Sequence, residues 1–163
     1  MRFTIIQATT RNKFPMDIVA RAIKFFQKTN YSHYAIEVID PTTKEVYYYD
    51  STGAGTRKSS LSTFNKKYSI CKRFKVKKEM SYIEWLEFWS LHANKGYGFG
   101  QILGLLVKGF RILRHNPLGQ GAKRLICNEL VILLLNHLDY TNIKDTDSLD
   151  LVETEEILNK VLP

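Results

Sequence analysis

The stretch Leu125 to Leu138, LICNELVILLLNHL, constrains the fold more than any other part of this chain. It is apolar on nearly every side, and a helix of that kind has to sit in the middle of a domain with other elements packed around it. One such helix implies one core, and 163 residues is the length of a single domain spanning 1–163. The charged fraction of 25% and the mean hydropathy of −0.23 are those of an ordinary globular chain, which excludes wholesale disorder.

The remaining elements follow from periodicity and turn chemistry. Phe3 to Ala8 is a short apolar run with β-branched residues and predicts a strand. From Pro15 to Lys28, the positions Met16, Val19, Ile23 and Phe26 keep helical spacing, and Pro15 suits a first helical turn. Ser32 to Ile39 and Glu45 to Ser51 are rich in Tyr, Ile and Val and flank Asp-Pro-Thr-Thr, which predicts a hairpin. A strand is expected around Tyr68 to Val76, and Ser81 with Glu84 makes a capping box for a helix through Trp85, Leu86 and Trp89. Gln101 to Leu113 is apolar but too short and too charged to span a bilayer, which takes roughly 20 apolar residues. It reads as a helix packed on the core, with a membrane-surface helix as the alternative. Ser148 to Leu162 predicts a short strand at Leu149 to Val152 and a small helix opened by Thr154.

The chain carries 24 Lys+Arg against 16 Asp+Glu, a net charge of +8, unevenly spread. Residues 1–125 hold 22 basic and 8 acidic side chains, whereas residues 126–163 hold 2 and 8. Between Arg57 and Lys78 there are nine basic residues and no acidic one. Such a block reads first as a solvated face; it also suits an anionic substrate, a lipid surface in peripheral contact, or a nucleic acid. No leader with a basic start and a long apolar run is visible at the N-terminus, so a cytoplasmic or virion-associated setting is the default expectation.

Two cysteines, Cys71 and Cys127, exclude a disulfide scaffold, and without CxxC spacing they exclude a zinc ribbon. Cys127 falls at the start of the apolar helix, where free backbone N–H groups and the helix dipole stabilise a thiolate and can receive an oxyanion. A buried free cysteine acting as a small hydrophobe is the bland alternative. Cys71, in a strand among basic residues, reads as structural. Of the four histidines, His92, His115 and His137 read as structural or solvated. His33 differs because a turn centred on Pro41 and Thr42 makes opposed residues sum to 83, setting it directly across from Asp50. Opposed Cβ atoms lie ~4.5 to 5.5 Å apart, within reach of a carboxylate–imidazole hydrogen bond. Glu37 shares the face but lies about 13 Å along the same strand. A slip of one residue would turn Asp50 to the other face.

The runs Tyr31-Ser-His-Tyr-Ala-Ile-Glu-Val38, Tyr49-Asp-Ser51 and Ile126-Cys-Asn-Glu-Leu-Val131 resemble the permuted branch of the NlpC-type papain-like thiol hydrolases, the YiiX/YaeF-like group. That group has a strand with S-H-x-x-I, a following strand ending in an acidic residue, and a helix opening with C-S-E-L-V. Here Asn128 stands for the Ser and Asp50 for the more usual Glu. Gly96-Tyr-Gly-Phe-Gly-Gln-Ile102 is similar to the group's aromatic segment, with Gly98 where an acidic residue is expected. Leu149 to Leu158 resembles its closing strand and helix, with Glu155 where a proline is usual.

The resemblance implies an α+β, circularly permuted papain-like fold, a small antiparallel sheet packed on the central cysteine-bearing helix. It also implies nucleophilic acyl transfer at an amide or ester substrate, peptidoglycan-type peptides and other small amides included. Cys127 is the nucleophile, His33 the general base and acid, and Asp50 the group that orients the imidazole. Gln120 and Tyr31 are the candidates for a second oxyanion donor, and no metal or cofactor is implied. Two other classes compete: a lipid acyl hydrolase or acyltransferase at a membrane surface, and a non-catalytic module that grips an anionic polymer or nucleic acid through the basic block.

Overall fold

In the computed structural model, residues 1–11, 16–98, 100, 102, 104–105 and 124–163 are described. Five strands form one antiparallel sheet: β1 (Arg2–Thr10), β2 (His33–Ile39), β3 (Val46–Thr52), β4 (Gly55–Ser60) and β5 (Tyr68–Lys75), in the order β4-β3-β2-β1-β5. The helices are α1 (Met16–Gln27), α2 (Leu61–Lys67), α3 (Tyr82–His92), α4 (Cys127–His137) and α5 (Leu151–Val161). Two further strands, β6 (Gly96–Tyr97) and β7 (Arg124–Leu125), pair in parallel next to α4. The α+β class and the antiparallel sheet thus agree with expectation.

Strand alternation sends two sets of side chains to opposite faces. Phe3, Ile5, Tyr34, Ile36, Val38, Tyr49 and Phe74 face α4, whose Leu130, Val131, Leu134 and Leu135 are buried in the main core. The apolar helix therefore lies where its all-round hydrophobicity requires. On the other face, Ile6, Ala8, Ala35 and Tyr48 are covered by Phe64 of α2, whose ring stacks on Tyr48 at 4.1 Å between centroids. Ser60 caps α2 by accepting from the Thr63 N–H. The Ser81/Glu84 capping box opens α3 as expected.

The structure corrects three expectations. Every β2–β3 pair from Ile36↔Tyr49 to Ile39↔Val46 sums to 85, so the turn is centred on Thr42 and Thr43 and His33 is not directly opposite Asp50. The Asp40 carboxylate accepts from the Thr42 and Thr43 N–H groups and lengthens the turn. Because the slip is two residues, both side chains stay on one face as diagonal neighbours. Second, Leu149 to Val152 is no strand: Asp150 caps α5 and Glu153 closes a capping box, so the helix begins at Leu151 before Thr154. Third, the basic block, where a single strand is expected, also holds α2 and the last four residues of β4, which places its charges on both edges of the sheet. The Gln101 to Leu113 helix, His115 and Gln120 fall wholly or largely outside the described residues.

Candidate active site

His33 opens β2 at the end of the sheet, and Asp50 sits near the end of β3 on the same face. The segment that leads into α4 is tied to this end, because the Ser51 hydroxyl donates to the Leu125 carbonyl at 2.6 Å. That bond sets the first turn of α4 beside His33. Nε2 of His33 lies 3.0 Å from Oδ2 of Asp50, and Cys127 is close enough to the same ring to influence its protonation. Nδ1 is then the ring nitrogen left for the thiol. The three groups the sequence singled out are thus brought together, all buried: Asp50 0%, His33 6% and Cys127 6% exposed.

Asp50 uses its second oxygen as well. Oδ1 accepts from Nε of Arg57 at 3.1 Å, and Arg57 is its direct cross-strand partner on β4. Burial alone would raise the Asp50 pKa; the His33 hydrogen bond and charge, followed by Arg57, outweigh it and hold the carboxyl below its ordinary value. Burial likewise would lower the His33 pKa, but Tyr68, Cys127 and Asp50 outweigh it, and the value is raised well above the ordinary one. Tyr68 is a neutral phenol near pH 7, since burial pushes its own pKa up, so the Asp50 carboxylate bonded to the ring is the counter-charge that matters.

The cysteine helix opens at Ile126, whose N–H is taken by the Glu129 carboxylate at 3.3 Å, while Thr146 donates to the other Glu129 oxygen at 3.2 Å. The first-turn N–H groups from Cys127 onward belong to the set that has no intrahelical acceptor. They form a donor array at the thiol, suited to a carbonyl oxygen that gains negative charge. Asn128 faces away from this chemistry: its side chain donates to the Leu149 carbonyl at 2.7 Å and locks α4 to the start of α5.

A cavity of about 290 Å³ opens beside His33, lined by Thr10, Val19, Ala20, Ile23, Arg57, Lys67, Tyr68 and Tyr97 among others. A smaller space at Cys127 shares Ile23, Ser32 and Tyr97 with it. The Tyr31 hydroxyl is engaged with Glu155 Oε2 at 2.7 Å and the Leu151 carbonyl at 3.1 Å, on the α5 side. Cys71 is exposed, with its pKa pushed up by partial burial against the opposing effect of Lys24. His92 is buried enough, next to Lys95 and His137, for its pKa to fall to about 4. Among the described residues no group of three or more His, Cys, Asp or Glu could hold a metal, and no helix is long and apolar enough to cross a membrane.

Arg57 and Tyr68 escaped the sequence reading because both fall in or beside the basic block. The signal for Arg57 was the Gly53-Ala-Gly55 turn after β3, which starts a second hairpin. At Gly55 φ is +90°, and an added Cβ would lie 2.6 Å from the Lys95 carbonyl oxygen, so only glycine makes this turn. No family model and no curated protein sequence matches the chain.

Proposed function

We propose that the protein is a cysteine-dependent acyl hydrolase, an amidase or peptidase, built on a circularly permuted papain-like fold. His33 draws the proton from Cys127, and the sulfur attacks an amide or ester carbonyl. The backbone N–H groups at the start of α4 hold the tetrahedral oxyanion. As the bond to the leaving group breaks, His33 returns the proton to the departing nitrogen or oxygen, leaving a thioester on Cys127. Water, deprotonated by His33, then cleaves the thioester and regenerates the thiol. Asp50, held from behind by Arg57, keeps the imidazole oriented and stabilises its charged form.

The observation that carries this reading is the position of His33 between a buried, ionised Asp50 and a cysteine at a helix start. A decisive test is labelling with a cysteine-directed acylating probe in wild type, Cys127→Ser and His33→Ala. Cys127 is expected to label faster than the exposed Cys71, and His33→Ala to slow it about a hundredfold or more. Equal labelling of the two cysteines, or a rate indifferent to His33→Ala, sinks the proposal.

One observation favours an acyl lipid as the substrate. On α1, Val19, Ala20 and Ile23 line the cavity, while Ile18 and Phe25 of the same helix are 55% and 78% exposed. An apolar helix face at the mouth of a site suits a membrane surface. Phospholipid turnover with vesicles, compared with peptide amide turnover, separates the two substrate classes.

A further inference from the structure

The cavity at His33 has a charge asymmetry that acyl transfer does not require. Among the described residues two cations line it, Arg57 and Lys67, and no acidic side chain does. Arg57 spends one of its five N–H donors, Nε, on Asp50. Its terminal Nη groups meet no partner among the described residues, and the side chain is 28% exposed. Lys67 is half-buried in the last turn of α2, and none of the ion pairs among the described residues includes its Nζ. A guanidinium with its fork open and an ammonium lining the same cavity suit a compact oxyanion. Val19, Ala20 and Ile23 of α1 give the same cavity an apolar lining as well.

We propose that this cavity is an anion subsite, and that the substrate is an acyl donor carrying a carboxylate or phosphate close to its scissile carbonyl. The proposal rests on the thiol-hydrolase reading for its scissile bond, but not for its anion. Arg57 connects the two: the face that holds Asp50 orients the imidazole, and the other face receives the substrate's charge. Neutral acyl donors lack the group that these two cations would hold, so they enter without an anchor.

The test uses two alkylating agents of equal size that differ in charge, iodoacetate and iodoacetamide, on Cys127 in a Cys71→Ser background. An ordinary thiolate repels iodoacetate and reacts faster with iodoacetamide. Here the iodoacetate-to-iodoacetamide rate ratio is expected to be raised about tenfold over that of a small neutral thiol. It should fall about threefold or more in Lys67→Gln and in Arg57→Gln, and should collapse toward the small-thiol value in 1 M salt. Because it is a ratio, it cancels any general change in thiol reactivity caused by the variants. A ratio unmoved by both substitutions and by salt overturns the subsite. Protection of Cys127 by inorganic phosphate or by glutarate, beyond that of chloride at equal ionic strength, supports it and tells phosphate from carboxylate. Protection by neither overturns it. Iodoacetamide labelling that ignores His33→Ala would instead remove the hydrolase reading and leave the ratio intact.

Discussion

The His33 imidazole lies flat on the Tyr68 ring, with centroids 4.5 Å apart and planes 7° from parallel. Tyr68 itself leans on Phe64 at 4.8 Å, so the sheet face that α2 covers also clamps the imidazole from one side. Stacked aromatic pairs contribute about 0.5–1.5 kcal/mol beyond the area they bury. Tyr68→Ala should therefore slow Cys127 labelling about tenfold by letting the ring turn away, whereas Tyr68→Phe should keep most of the rate. Equal rates in Tyr68→Ala and wild type would show that Asp50 alone holds the ring.

The two titratable partners make opposite pH signatures. His33 has a raised folded pKa, so its contribution to stability is fully present below the unfolded value of about 6.5 and is lost as pH rises through the folded pKa. Asp50 has a lowered folded pKa; its contribution is present above about 3.9 and is lost as pH falls through the folded value. Thermal unfolding of wild type and His33→Gln across pH should show the largest gap near pH 5 to 6, narrowing as the solution is made alkaline. In Asp50→Asn, burial acts on His33 without its counter-charge, so the ring's pKa should drop, visible in the NMR titration of its carbon-bound protons.

The Asn128 side-chain amide donates to the Leu149 carbonyl at 2.7 Å, a span that a shorter serine hydroxyl would not bridge. Asn128→Ser should cost about 0.5–1.5 kcal/mol, the net worth of a typical hydrogen bond, since the Leu149 carbonyl is only partly buried. The labelling rate of Cys127 in the folded fraction should change little. Denaturant unfolding measures the first and probe kinetics the second; a stable but unreactive variant would contradict this division.

Gly55→Ala should destabilise the protein by about 1–3 kcal/mol, through the left-handed backbone and the clash with the Lys95 carbonyl. The damage should extend to the site. The neighbouring Thr56 hydroxyl accepts from the Lys95 N–H at 3.0 Å, and Arg57 follows it on β4. A loss of labelling in step with the loss of stability is the expected pattern.

How far the residues themselves disclosed all this depends on which physical signal each part carries. The α4 helix was legible because apolarity on all sides has only one home, and its first residue was legible because a cysteine at a helix start has a definite chemistry. The hairpin was legible in parity but not in register, since Asp40 adds its own hydrogen bonds to the turn and carries the centre one residue on. Arg57 was hidden for a different reason. β4 has the sequence GTRKSS and buries only its first two residues, so it lacks the apolar alternation that marks a strand. The Leu149 strand failed because the Asp150/Glu153 capping box competes with the apolar run around it and wins.

The block from Arg57 to Lys78 acquires a second meaning from the strand order. β4 and β5 are the two outer strands; β5 lies inside this block and β4 enters it at Arg57, so the rims of the sheet carry Arg57, Lys58, Lys72, Arg73 and Lys75. Two copies approaching rim to rim would bring like charges within about 5 Å. Lysine-bearing edges resist that kind of pairing. The chain thus carries its own colloidal safeguard against growing into an extended sheet, and the safeguard thins as salt rises.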